Sequence, residues 1–386
     1  MDKKKCLISL LSDMISHPST DGNEASMSDF LADTLKRIGM DEVVQQEVLP
    51  NRKNVIARKR FGSGGKTILL NSHMDIVPPA DGWETDPYQL IQRGSRVYGR
   101  GVCDAKGPLA CLTMAVQDVI RNPGNICGEI VYTAVVDEEA GSAGARALVG
   151  HEWVKGDCCI VGEPTLCRVA IGHNGSLRPV IAVEGVTAHA SNPELGVNAI
   201  RVAAYISSLV DEIAKDISAL IHPTTGRPSV SITMIKGGVQ ENVIPDYCEL
   251  VIDRRMVPGE SETEIISCFE TMCNKAQEAF PGGKVRIDRF LTTTGPASET
   301  HPDNPFVRLA YAAVESVTGE KQQPFGLTCN TDMNHFVRAG IPTVVVGPGS
   351  ITAAHKPNEW VEIDQLEVAC VVNEAIIRAV LGGKLS

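Results

Sequence analysis

An α/β fold with a largely parallel sheet, interrupted by a smaller α+β unit, is the architecture this chain predicts, and three observations carry it. Four short β-branched or apolar runs, KTILLNSHMD (66–75), GEIVYTAVVDEE (128–139), DCCIVGEPT (157–165) and IPTVVVGPGS (341–350), each end in polar or glycine residues. GPLACLTMAVQDVIR (107–121) and DQLEVACVVNEAIIRAVL (364–381) carry apolar residues at helical spacing. The middle of the chain reads differently: RPVIAVEGVTAHA, SVSITMIKGG and YCELVIDRRMV alternate more strongly and flank helical stretches at about 196–217 and about 261–279. Apolar strands interleaved with helices indicate a parallel sheet covered by helices. The alternating strands indicate a separate unit, so residues 178–291 are expected as an insertion into a main domain built from 1–177 and 292–386.

At the start of the chain, MDKKKCLISLLSDMISHPST is basic and then apolar, but Asp13 and His17 interrupt the run and no small-residue cleavage site follows. It reads as an amphipathic first helix rather than a secretion signal. No stretch approaches the roughly 18 apolar residues of a membrane span. The 386 residues, 43% of them apolar, exceed one ordinary core and suit two domains. A formal net charge of −11 argues against nucleic acid or an anionic membrane as partner, because both reward clustered Lys and Arg. The twelve cysteines include no C-x-x-C pair, and neighbouring Cys158 and Cys159 would point to opposite faces of a strand. Reduced, mostly buried thiols and a cytoplasmic address are therefore expected.

Ligands of open α/β sheets gather beyond the carboxyl ends of the strands. Those ends supply His73 and Asp75, then Glu138 and Glu139, then Glu163, while His355 lies in GSITAAHKPNE after the fourth run. Asp104 belongs to YGRGVCDAKGP, a glycine-rich loop entering a helix. Histidine and carboxylate from separated segments, converging on one edge, form the donor set of a metal site. The strongest single feature is H-x-D at 73–75. In an extended chain both side chains share a face, so the Asp75 carboxylate is expected to accept the His73 ring N–H and fix which nitrogen faces a metal. The run Asp137, Glu138, Glu139 also calls for a cation, since adjacent like charges repel.

SHMDIVP, YGRGVCDAKGP, DEEAGSAGA, IVGEPT, GVTAHASNPELGVNAI, ENVIPDYCELVIDRRMVPG and IPTVVVGPGSITAAHKPNEWV, in that order, resemble the successive signatures of the metal-dependent amidohydrolase family of acetylornithine deacetylase, succinyl-diaminopimelate desuccinylase, aminoacylase and carboxypeptidase G. The resemblance runs from about residue 5 to about residue 380. It implies a zinc-peptidase-like catalytic domain with an inserted ferredoxin-like lid and dimerisation domain. It assigns His73 and Glu163 to one divalent ion, Glu139 and His355 to another, and Asp104 as the carboxylate bridging them. Glu138 falls on the general base, Asp75 joins the catalytic groups, and Asp137 is a structural acid. Zinc is the preferred metal, with cobalt or manganese able to occupy the same ligands.

Further assignments follow from the same resemblance. His189, in the pattern G-x-x-x-H-x-S-x-P, is the oxyanion donor, supplied in dimeric relatives by the partner's lid. Arg255, in D-x-R-x-x-P-G, meets the substrate α-carboxylate, and Arg254 faces away by strand alternation. Asn242 and the backbone N–H groups of GPGS, Gly349 among them, are further substrate contacts. Three stretches depart from the family pattern: DAKGP, with Ala105 and Pro108; IGHNGSL, whose His173 is a candidate lining residue; and TCNTDMNHF. The last two are where substrate identity should be encoded. The expected function is hydrolysis of an N-acyl amino acid by a homodimer, with acetylornithine deacetylation the first choice. Succinyl-diaminopimelate desuccinylation and dipeptide or carboxypeptidase cleavage are alternatives, and a catalytically silent metal- or peptide-binding relative is the alternative from another class.

Overall fold

The strands Lys66–His73, Gly128–Val135 and Cys158–Val161 are buried along nearly their whole length because neighbours cover both of their faces, and each carries an apolar run. In this computed structural model, which describes residues 2–20 and 22–385, they form the centre of a six-stranded sheet. Its order is Glu42–Leu49, Arg52–Phe61, Gly128–Val135, Lys66–His73, Cys158–Val161, Thr343–Val345. The last four strands run parallel to one another, and the first two add an antiparallel hairpin at one edge. That hairpin lies outside the four apolar runs of the sequence. Its turn is at Pro50–Asn51, and Asn51 takes the left-handed conformation (φ 62°) that Asn tolerates.

Register decides where the chemistry collects. His73 lies level with Val135, so Glu138 and Glu139 follow a few residues beyond the same edge. Asn71 lies level with Val161, so Glu163 emerges beside them.

Helices close the sheet. Lys3–Ile15 starts at Asp2, whose side chain accepts the Lys4 N–H, and Ala25–Ile38 stops at Gly39, which adopts φ 99°. Lys106–Arg121 is buried over most of its surface because it packs against both Lys3–Ile15 and Ile363–Ala379. One core runs through this unit, from Leu11 and Met14 through Ile68 and Tyr132 to Ile376. Among the described residues no helix is long and apolar enough to cross a membrane.

The second compact unit comprises His173–Ser298 with Thr328–Asn330. Its elements follow the order strand Gly175–Glu184, helix Ala199–Ile217, strands Ser229–Gly237 and Tyr247–Met256, helix Glu262–Ala279, strand Lys284–Leu291. The sheet order, Ser229–Gly237, Tyr247–Met256, Gly175–Glu184, Lys284–Leu291, is antiparallel throughout. This βαββαβ arrangement is ferredoxin-like. Asn198 and Ser261 cap the two helices with side-chain oxygens, and the helices bury Ile206, Leu209, Phe269 and Met272 against one face of the sheet.

Candidate metal centre

Five side chains from separate segments meet beyond the carboxyl edge of the parallel strands. His73 Nε2 is 3.1 Å from Asp104 Oδ1 and 3.6 Å from Glu163 Oε1. His355 Nε2 is 3.0 Å from Glu139 Oε1 and 3.3 Å from Asp104 Oδ2. Asp104 thus presents one oxygen to each histidine, which divides the cluster into a His73/Glu163 half and a Glu139/His355 half. Ligating atoms of His73, Asp104 and Glu139 lie within 4.8 Å of one another. Close packing makes the cluster possible: a Cβ on Gly347 would stand 2.5 Å from the Glu163 carbonyl oxygen, so only glycine fits there.

The His73 ring is oriented differently from the sequence expectation. Nδ1–H donates to the backbone carbonyl of Asp75 at 2.8 Å, whereas the nearer carboxylate oxygen of Asp75 lies 3.6 Å away. The strand ends at His73, so the two residues do not share an extended face. Asp75 Oδ2 instead accepts the Glu139 N–H at 3.0 Å and steadies the acidic turn. Asp137 holds that turn from its other side. It accepts Arg52 Nη1 at 2.7 Å, and its carbonyl receives the Gly141 and Ser142 N–H groups. Arg52 also pairs with buried Glu24.

Asp332, which sequence reasoning left inside an undeciphered motif, is buried behind the cluster. It accepts Ser142 Oγ at 2.8 Å and Asn71 Nδ2 at 3.2 Å, joining the acidic turn to the His73 strand. Its only sequence signal was a lone acid in an uncharged stretch.

The electrostatics call for cations. Burial pushes Glu138 and Glu163 well above the usual carboxyl range; His73 opposes this, while Asp332 and neighbouring acids reinforce it. Glu139 is raised by burial and by Asp104, against its bond from His355. Asp332 is pushed up to about 6, mainly by burial. For Asp104, bonds from His355 and His73 outweigh burial and hold the carboxyl below its usual value. The same bonds from Asp104 and Glu139 raise His355 to about 10. Lys106, fully buried with Nζ donating to the His17 carbonyl at 2.7 Å, is lowered to about 7 by burial. Imidazole nitrogens and carboxylate oxygens, too many acids for the cations beside them, are the donor chemistry of borderline divalent ions, and the residues fit such ions.

The Gly349 N–H is already engaged by Gln365 Oε1 at 2.9 Å, because Gly349 turns through φ 82° and points its amide at the helix Ile363–Ala379; it is not a free contact for substrate. In the second unit, His173 is fully buried and its Nδ1–H donates to the Asn174 carbonyl at 2.8 Å. Burial lowers it to about 4, so it is neutral. His189 is exposed on a two-residue strand paired with Val243–Ile244, next to exposed Asn242. Its Nδ1 faces Ser191 Oγ at 2.7 Å. Arg255 Nε donates to Asp253 Oδ1 at 2.8 Å, Arg178 donates to the other oxygen of Asp253 at 2.6 Å, and Arg255 Nη1 lies 3.4 Å from Asn330 Oδ1. Arg254 is buried on the opposite face with Glu260.

Residues 69–379 match the family model described as Peptidase family M20/M25/M40. Acetylornithine deacetylase of Vibrio vulnificus is 32% identical over 372 residues, covering 95% of this chain and 94% of that protein. The enzyme of the same name from Vibrio parahaemolyticus is 33% identical over 382 residues, covering 96% of each. Among solved structures, a tripeptidase from Staphylococcus aureus superposes with a TM-score of 0.82 at 22% identity, covering 98% of this chain and 99% of that one. A Bacillus subtilis protein described as a dinuclear metal binding peptidase superposes with a TM-score of 0.75 at 17% identity, covering 98% and 99%.

Metal uptake should compete with protons. His355, raised to about 10 by Asp104 and Glu139, is an imidazolium at neutral pH in the metal-free protein, and an ion can bind Nε2 only after that proton leaves. Affinity for the ion should therefore rise with pH through the neutral range and fall as pH is lowered. Calorimetric zinc titration of chelator-treated protein, in buffers of different ionisation enthalpy, should record proton release at about pH 7 and weaker binding at about pH 6. Binding without proton release and without pH dependence would remove His355 from the ligand set.

Proposed function

Since the chain belongs to peptidase family M20/M25/M40 and is a metal-dependent hydrolase of that family, we propose that it cleaves the amide bond of an N-acyl amino acid, with N-acetylornithine as first substrate. N-succinyl-diaminopimelate and dipeptides are the alternatives. The observation that carries this reading is the buried Glu138 carboxyl beside a five-residue imidazole and carboxylate cluster, His73, Asp104, Glu139, Glu163 and His355. A silent binding protein has no need of a general base in that position, which counts against the non-catalytic alternative.

His73 and Glu163 would hold one ion, Glu139 and His355 the other, with Asp104 between them. Zinc suits this donor set, as do cobalt and manganese. The chemistry such ions supply when bound is Lewis acidity, which acidifies an attacking water and polarises the scissile carbonyl. Glu138 takes the proton of that water on its carboxylate and returns it to the leaving amine nitrogen. The burial that raises its proton affinity suits it to hold the proton between the two steps.

The second unit supplies binding. With Ser191 donating to His189 Nδ1, the ring proton resides on Nε2 and is free to donate to the oxyanion of the tetrahedral intermediate. Arg255, with Nε occupied by Asp253, keeps terminal N–H groups for the substrate α-carboxylate, and Asn242 adds a contact from the strand turn beside His189. The functional particle in this reading is a homodimer through the inserted unit, working in a reducing cytoplasm; twelve free cysteines support that setting.

A panel of N-acetyl, N-succinyl and dipeptide substrates, each assayed with zinc and with cobalt, should show highest kcat/KM for an N-acyl amino acid. Activity on dipeptides alone would replace the deacylase reading with a peptidase one. Glu138→Ala should lose about 10²–10⁴ in turnover with metal content nearly intact, whereas Glu139→Ala should lose metal too. Elemental analysis beside kinetics separates the two, and reversed phenotypes would mean that the neighbouring roles are exchanged. His189→Ala should lower kcat by roughly 10²–10³. Co-expressed with a Glu138→Ala chain, it should regain a substantial fraction of wild-type activity if the donor acts across the dimer, because one site then has both residues. Verified heterodimers without recovery would place His189 and its own chain's Glu138 in the same site.

A further inference from the structure

Glu359 follows His355 by four residues in HKPNEW and is buried to 1% exposure. The segment carrying it is laid against the approach to the Asp104 loop: Trp360 pairs with Tyr98, Val361 with Val97, and the Gly99 N–H donates to the Glu359 carbonyl at 3.2 Å. From that register the side chain reaches into the loop. Oε1 accepts the N–H groups of Cys103 at 2.8 Å and Asp104 at 3.1 Å, and Oε2 accepts Nη1 of the equally buried Arg100 at 2.7 Å. One carboxylate therefore ties the loop that carries Asp104 to the segment that carries His355.

The two halves of the cluster are not equally supported. His73 closes a strand bonded on both sides, and the Asp75 carbonyl sets its ring. The His355 side chain is 49% exposed, sits on a loop residue at φ 61°, and among the described residues bonds only to Glu139 and Asp104, which are themselves in the cluster. Its backbone must be located from elsewhere. Asn358 contributes through the Glu84 N–H at 2.9 Å and the Gly82 carbonyl at 3.2 Å, but those contacts lead away from the other ligating residues. The Glu359 contacts lead to Asp104.

We propose that Glu359 is a positioning residue that sets the distance between His355 and Asp104 and so determines affinity for the ion held by the Glu139/His355 half, with Arg100 as its counter-ion. The carboxylate suits this task because it accepts from three donors at once, two of them backbone amides that would otherwise be buried and unpaired. The inference rests on the two-ion reading above, and its test separates the two.

Removing Glu359 alone would strand the Arg100 charge and endanger folding, so the comparison uses two double variants. Arg100→Met with Glu359→Gln keeps an acceptor for the Cys103 and Asp104 amides and removes both charges. Arg100→Met with Glu359→Leu removes charges and acceptor together. Zinc is titrated into chelator-treated full-length protein in competition with a chromophoric chelator, and thermal unfolding of the metal-free forms is followed in parallel. The Gln variant should take two equivalents much as wild type does. The Leu variant should bind the first equivalent within a few-fold of wild type and the second about 10–100-fold more weakly. Two equivalents at wild-type affinity in the Leu variant overturn the proposal. So does equal weakening of both ions with a lowered unfolding temperature, the signature of a merely structural residue. Wild-type protein that takes a single equivalent overturns the two-ion reading itself, and this inference with it.

Discussion

The carboxyl groups of Asp75, Asp104, Glu138, Glu163 and Asp332 are all buried at one edge of the sheet, with Glu139 half-buried beside them. Negative charge in a medium that cannot screen it is tolerable only with cations or protons in place. Much of the surrounding construction answers to that constraint. Two histidines stand among the acids, and without metal they are drawn toward the protonated state. Divalent ions would relieve the same repulsion with fixed charge, which is why one set of residues both demands a cation and can coordinate it.

The structural cations lie one layer out. Arg52 pairs with both Glu24 and Asp137, and Arg100 pairs with Glu359. Each of these arginines serves a carboxylate that shapes a loop carrying a residue of the cluster: Asp137 folds the turn of Glu138 and Glu139, and Glu359 binds the amides around Asp104. An arginine placed among the ligating residues would compete with the metal. Placed behind them, it stabilises the scaffold while the donor set stays electron-rich.

The second unit is built on different physics. Its antiparallel sheet buries one face under two helices, and its other, more polar face sets cross-strand pairs such as Arg178 with Asp253 and Arg289 with Glu249 beside buried Val180 and Ala182. Strand alternation sends Arg254 into the buried side and Arg255 to the polar one, so adjacent arginines have unrelated tasks. Arg255 belongs to this sheet, whereas His189 lies outside it, on the two-residue strand paired with Val243–Ile244.

Much of this was legible in the amino-acid order. Apolar runs followed by His73, Glu138 and Glu163 state both the parallel sheet and the edge at which its histidines and acids gather, because period and polarity are local properties of the chain. The edge hairpin Glu42–Phe61 is not marked in the sequence because charged residues dilute its β-branched pattern. Other features depended on contacts between distant segments. The Asp75 carboxylate holds the Glu139 amide instead of the His73 ring, since the strand ends at His73, two residues before Asp75, and the side chains do not align. Gly349 lost its amide to Gln365, and Asp332 and Glu359 took up supporting places that no local pattern announces. The sequence by itself determined which residues could bind a metal and roughly where they would meet, because the donor chemistry resides in the side chains. Only the tertiary structure decided which acids join the imidazole and carboxylate cluster and which hold the loops, because that division depends on hydrogen bonds between residues tens to hundreds of positions apart, made only once the backbone register is set.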